Sequence, residues 1–367
     1  MTMSQVPATG SGGAPDRSDD EVRRRFAVLA SIAALYTYAL IVFGGIVRIT
    51  GSGMGCGEDW PRCNGEWIPA FDFETLIEYG HRLLAAGLVV PIALVAVLAW
   101  RNRTRAGFAG RGGAFRPVLA VLALLTVQVA LGAITVRLEL PATTTVLHFV
   151  TASLLLAALL VAVVRIALAR DGVGGGGVDG AAAASTGASR GGGATDAARW
   201  RRSAYVGAGL GLLAVAFGAM TANTGAASLC QGFPLCNGEW MPAGGTYVHI
   251  HWTHRLVAFA LFFHVAGAAY VAWRAPAPPE IRTASGISLA LVTVQLVVAA
   301  ALVLLQLPQW LQALHLAVGT ALWGALAVWA AVAAGRPAAS PGGLAPAAGA
   351  PSPSSVEGVA PSARNRL

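Results

Sequence analysis

Three ionisable residues, Glu78, His81 and Arg82, stand at the head of an apolar run where a membrane-spanning helix would carry none. Charges at such places are costly and usually functional. Glu78 and His81 are three apart, so a helix puts them on one face. The stretch Ile77-Glu78-Tyr79-Gly80-His81-Arg82-Leu83 has a second version in Ile250-His251-Trp252-Thr253-His254-Arg255-Leu256. His148 and His315 each lie seven residues after the proline of a Leu-Pro step, Leu140-Pro141 and Leu307-Pro308. All four histidines fall near the same end of an even-numbered apolar run, hence at similar depth. Two imidazoles on neighbouring helices of a bundle can fill both axial positions of a haem iron. The plainer alternative is four hydrogen-bonded core histidines, which leaves two at one level in each half unexplained. A dinuclear metal site would want several inward carboxylates, and the apolar runs offer only Glu78.

The halves differ at Glu78, where the second copy has His251. An acid on the same face as a ligand can move protons during chemistry at the bound group. The N-terminal half therefore reads as chemically active and the C-terminal half as a binding or electron-relay site. His249 and His251 are further candidates for the place of His254, which the repeat alignment favours. His264 lies well inside its run without a counterpart and reads as structural. Arg82 and Arg255 either snorkel to headgroups or bind propionates. Arg48 has the same two readings, and Ala222 takes its place in the second half. Gln128 and Gln295 are single polar residues inside runs, suited to a helix-to-helix hydrogen bond or a cofactor contact. The four cysteines fall as Cys56/Cys63 and Cys230/Cys236, one pair per loop. They read as disulfides, Cys56–Cys63 and Cys230–Cys236, with redox exchange or a free thiol pair as the alternative. Zinc fits poorly, since the spacing is wide and no histidine follows closely.

The elements that must hold these residues are membrane spans. The 367 residues are 56% hydrophobic and 11% charged, with a mean hydropathy of +0.63. A soluble domain carries about 25% charged residues, so the chain is an integral membrane protein. Its +8 charge comes from arginine, with no lysine present. Those arginines lie mostly between apolar runs, where topology accounts for them and nucleic acid is not needed as a partner. The polar start and the length of the first apolar run give no sign of a cleavable signal peptide. Eight runs near the ~20 residues of a helical span fall at about 26–48, 77–100, 115–136, 144–168, 203–222, 250–273, 284–305 and 312–334. The expected fold is all-α: eight transmembrane helices arranged as two parallel four-helix repeats about a pseudo-twofold axis. The repeat shows in Cys63-Asn64-Gly65-Glu66-Trp67-Ile68-Pro69 against Cys236-Asn237-Gly238-Glu239-Trp240-Met241-Pro242, and in Thr126-Val127-Gln128 against Thr293-Val294-Gln295. Arginine-rich connections alternate with acidic ones, which places both termini in the cytoplasm and the Cys-bearing loops on the outer face of a cell membrane. The units are then a disordered N-terminus 1–25, a first repeat 26–168, a flexible cytoplasmic linker 169–202, a second repeat 203–334 and a disordered tail 335–367.

With these motifs in place the chain resembles the haem A synthase family. The likeness rests on Gly44-Gly45-Ile46-Val47-Arg48-Ile49-Thr50-Gly51-Ser52-Gly53, Trp60-Pro61-Arg62-Cys63-Asn64-Gly65, Glu78-Tyr79-Gly80-His81-Arg82, Gln128-Val129-Ala130-Leu131-Gly132 with Thr135, and the Pro141…His148 step with the second-half equivalents. It covers most of 26–334, leaving out the linker. The resemblance implies oxidation of the C8 methyl of haem O to a formyl group, giving haem A for terminal oxidases. It implies haem b held by His254 and His315 in the second half. The substrate haem would lie between His81 and His148, with Glu78 catalytic. It further implies a surround of membrane lipid and an electron donor or acceptor of unspecified identity. Contact with a haem O synthase or an oxidase-assembly partner, and a homo-oligomer, fit the same picture. A dihaem b-type membrane electron-transfer protein would share all four ligands, but it has no need of Glu78.

Overall fold

The computed structural model describes residues 17–70, 72–170 and 192–335. Among them eight α-helices are long and apolar enough to cross a membrane. They are α1 (Arg17–Ile49), α2 (Phe73–Arg101), α3 (Phe115–Arg137), α4 (Ala142–Arg170), α5 (Gly192–Asn223), α6 (Thr246–Arg274), α7 (Pro279–Leu304) and α8 (Gln309–Ala334). No strand occurs among the described residues. Residues 1–16, the middle of the expected linker at 171–191 and the tail from 336 lie outside them.

The apolar runs underestimate the helices because helix formation continues into polar flanks. α1 begins at Arg17, where Arg23–Asp20 and Arg25–Glu21 pairs at helical spacing support its first turns. α2 begins at Phe73 because Asp72 caps it, accepting hydrogen bonds from the Thr75 amide (2.9 Å) and hydroxyl (2.8 Å). Those bonds hold the Asp72 carboxyl below its ordinary value. α5 takes in residues 192–202, assigned above to the linker.

α1, α4, α5 and α8 pack on one another at the centre, while α3 leans on α2 and α4 and α7 on α6 and α8. Half of α8's apolar stretch is buried inside the protein, against 17% for α3 and α7. The remaining apolar side chains, such as Leu83, Val90 and Leu94 on α2, point outward, as a lipid-facing surface requires. Two apolar clusters form. One draws on α1 to α4 with Trp323 of α8, and the other on α5 to α8. In lipid no hydrophobic force pulls helices together, so close packing through small residues does it. Ala30, Ala33 and Ala34 of α1 and Ala152 of α4 serve that purpose.

Two tight turns set the depth of the second histidine in each half. Glu139 and Leu140, then Gln306 and Leu307, adopt left-handed backbone conformations before Pro141 and Pro308. The Leu140 amide donates to Thr135 O and the Leu307 amide to Leu302 O, each at 2.9 Å. These bonds close α3 and α7 and turn the chain directly into α4 and α8.

Candidate functional site

His81 on α2, His148 on α4, His254 on α6 and His315 on α8 all lie towards the end of the bundle that carries the two disulfide loops. His81 and His148 are within electrostatic reach of each other, and so are His254 and His315. The histidines thus fall into two groups, His81 with His148, and His254 with His315 and His251. The Nδ1 atoms of His81, His148 and His254 are buried without a hydrogen-bond partner, as are the Oε1 atoms of Gln128 and Gln295. Buried polar atoms are normally satisfied, so this cluster of orphans marks a place for a ligand.

Glycines keep space open beside the imidazoles. A Cβ on Gly44 would stand 3.0 Å from His81 Cε1, one on Gly218 3.0 Å from His254 Cε1, and one on Gly132 3.2 Å from His148 Cε1. The Gln128 amide nitrogen meets His148 Nε2 at 3.0 Å, and that of Gln295 meets the His315 ring at 3.1 and 3.3 Å. Both glutamines therefore position the second histidine of a pair. Among the described residues no three His, Cys, Asp or Glu side chains are grouped to hold a metal ion. Two imidazoles per site instead match a metal already carried in a planar macrocycle, the haem arrangement.

The disulfide loops sit over this end. Cys56–Cys63 and Cys230–Cys236 are joined. Inside each loop an Asn-Gly pair with positive φ, Asn64-Gly65 and Asn237-Gly238, makes a two-residue hairpin turn. Cys63 and Glu66 exchange both backbone bonds across the first, Cys236 and Glu239 across the second. An aromatic side chain ties each loop to its helix: Tyr79 Oη donates to Trp67 O (2.7 Å), Trp252 Nε1 to Trp240 O (2.8 Å).

Arg82 and Arg255 grip the loops. Arg82 Nη1 donates to Asp59 O (2.6 Å) and Arg62 O (2.7 Å), while Nε and Nη2 donate to Glu78 Oε1 at 3.1 and 2.5 Å. Four of the five N–H groups of a guanidinium are thereby engaged, leaving one for the expected propionate. Arg255 donates to Gly232 O and Leu235 O (both 2.8 Å) and to Cys230 O (2.5 Å). Backbone carbonyls have no residue-type signature, so the sequence held no signal for these contacts. The first loop is one residue longer between its cysteines than the second, and its acidic Gly57-Glu58-Asp59 segment supplies one of the gripped carbonyls, where Gly232 serves Arg255.

Glu78 is buried, with 3% of its surface exposed. Its Oε1 takes Arg82 and its Oε2 takes the Cys56 amide at 2.8 Å. His251 stands in the equivalent place with opposite polarity, its Nδ1 3.2 Å from Ala226 O. His249 is exposed and bonded to Gly245 O, and His264 donates to Ser203 O at 2.9 Å. Neither joins a histidine pair. The contributors given no role by the sequence are Gly44, Gly132 and Gly218; Gly44 and Gly132 fall within the motifs above, and the signal all three share is a glycine inside a span at the depth of a histidine.

Against this geometry, the comparisons with known proteins decide the family. A profile of the family described as "Cytochrome oxidase assembly protein" (COX15-CtaA) matches residues 27–327. The chain belongs to this family. It is also similar to curated proteins named "Heme A synthase". One is from Symbiobacterium thermophilum, 29% identical over 78% of this chain and 88% of that protein. Another is from Halalkalibacterium halodurans, 28% identical over 65% and 74%. A third is from Bacillus licheniformis, 26% identical over 67% and 74%. With eight apolar helices, this family member is a multi-pass membrane protein.

Proposed function

We propose that the chain is a haem A synthase, an oxidoreductase that converts the C8 methyl of haem O to a formyl group. The observation that carries this reading is the set of buried imidazole nitrogens without a partner, on His81 and His148 in the first half and on His254 in the second, in a chain of this family. Helices α1–α4 and α5–α8 act as two parallel repeats, and the disulfide end faces outward. Haem O binds as substrate between His81 and His148. His254 and His315 would hold a resident haem b, whose chemistry there would be electron relay. An electron donor or acceptor completes the system, and the surrounding lipid seals the outward apolar faces.

Turning a methyl into a formyl group removes four electrons in two two-electron steps and adds one oxygen. Haem supplies the redox chemistry that side chains lack. The protein supplies placement and protons. His81 and His148 fix the substrate's depth, and Gln128 orients His148. Gly44 and Gly132 keep the approach to the rings open. Glu78 shares a helix face with His81 and handles protons at Oε1. A proton arriving there weakens the Arg82 bonds, while Arg82 Nη1 stays on Asp59 O and Arg62 O. The second half carries His251 in that place and lacks this function. The Glu78→Gln variant keeps an oxygen for the Cys56 amide but cannot cycle a proton. It should retain both haems and lose haem A formation when haem O is supplied, as read by extraction and separation of the haems. Haem A made at the wild-type rate would remove Glu78 from the mechanism. A preparation that never holds haem O or haem A would favour an electron-transfer protein instead.

A further inference from the structure

Arg48 is a half-buried cation near the loop end of α1, and the proposed chemistry leaves it without a task. Its Nη1 donates to Ala222 O at 3.1 Å and its Nη2 to Gln312 Oε1 at 3.3 Å, both neutral acceptors on the other half of the molecule. Among the described residues no carboxylate lies within ion-pair distance of it. A cation withdrawn from water without a counter-charge is unfavourable, and one placed to receive an anion is pre-organised.

The positions of its two partners say which anion. Ala222 lies four residues beyond Gly218 on α5, so one helical turn closer to the disulfide end, and Gly218 is the glycine that faces the His254 ring. Gln312 lies three residues before His315 on α8, again one turn closer to that end and on the same face. Arg48 therefore reaches out of the first half and over the second histidine pair. Gln312 is itself held by its Nε2 bond to Leu307 O at 2.8 Å, which fixes the acceptor that steers the guanidinium. Arg82 and Arg255, the obvious propionate candidates by sequence, are engaged with loop carbonyls.

We infer that Arg48 is a cross-half anion anchor, binding a propionate of the haem held by His254 and His315. The inference rests on the haem reading of that pair. A bidentate guanidinium–carboxylate contact also places a positive charge near the iron. That charge favours the reduced over the oxidised centre.

The test uses full-length apoprotein carrying His81→Ala, so that only the second pair is read. It is titrated with iron protoporphyrin IX and with its dimethyl ester, which has no propionate charge. With Arg48 present, the ester should bind about tenfold or more weakly than the acid. With Arg48→Met, the acid should weaken by a similar factor and the difference between acid and ester should vanish, a double-mutant cycle between residue and ligand group. The midpoint potential of the bound haem should also fall. An acid–ester difference of the same size in both proteins overturns the inference. If Arg48→Met does not accumulate, Arg48→Lys, which keeps charge but loses the two-point contact, should reduce the difference, and an unchanged one overturns the inference equally. Failure of both porphyrins to bind when Arg48 is present would instead remove the haem reading itself.

Discussion

At the scale of single residues, Glu78 and Arg82 form a buried pair that does two things at once. It presents an acid beside His81, and it fastens the first disulfide loop through Cys56, Asp59 and Arg62. The second half fastens its loop through Arg255 without a carboxylate partner, and His251 bonds to a carbonyl where Glu78 accepts an amide. The two arginines should therefore differ on removal. Arg82→Met leaves a buried carboxylate without its cation, which costs about 3–5 kcal/mol. Arg255→Met leaves only carbonyls behind and should cost less. Thermal unfolding of the two variants in one lipid environment measures the difference, and equal losses would mean that the pair contributes no more than the carbonyl bonds. The acid, the histidine and the arginine were legible in the sequence from their helical spacing. What Arg82 holds was not, because its partners are backbone oxygens of a loop whose path no side chain announces.

At the scale of the helix, α1 and α5 each present a glycine to an imidazole, Gly44 to His81 and Gly218 to His254. A Cβ at 3.0 Å already forces the ring to yield, and a β-branched side chain adds methyls where it would have to go. Gly44→Val should therefore abolish haem binding at the first pair and leave the second intact, with the reverse for Gly218→Val. Haem stoichiometry and the absorption spectrum of each purified variant report this. Loss of both haems in either variant would show that the glycines serve general packing. Hydropathy gave all eight helices, since a bilayer leaves few ways to satisfy a backbone. It misplaced their ends at α1, α2 and α5, where an Asp72 cap or pairs such as Arg25–Glu21 extend the helix beyond the apolar residues.

At the scale of the molecule, the two proposed halves meet through α1, α4, α5 and α8. Trp323 Nε1 donates to Ser153 O at 2.7 Å, and Tyr38 Oη to Ala317 O at 3.2 Å. None of these contacts involves residues 171–191. Cleavage at a protease site placed within 171–191 should leave the halves together, so that a tag on one recovers the other from mild detergent. Recovery of one half alone would mean that the covalent connection is required. The sequence could not reveal this seam, because a helix facing lipid and a helix facing another helix have nearly the same composition. Small residues such as Ala33, Ala34 and Gly45 differ between the two settings only by where they fall on the helix.

The contact of Gly45 with Leu316 has a consequence in time. Gly45 packs against a side chain next to His315 in the last helix, while Gly44, its neighbour in the chain, packs against His81. Synthesis proceeds from the N-terminus, so α1 enters the bilayer first and α8 last. His81 and His148 have the helices of their own half around them once α4 is inserted, but one flank of α1 stays bare to lipid until α8 arrives. The nascent chain thus passes through a stage in which α1 to α4 are assembled and the helices that complete their packing are still being made.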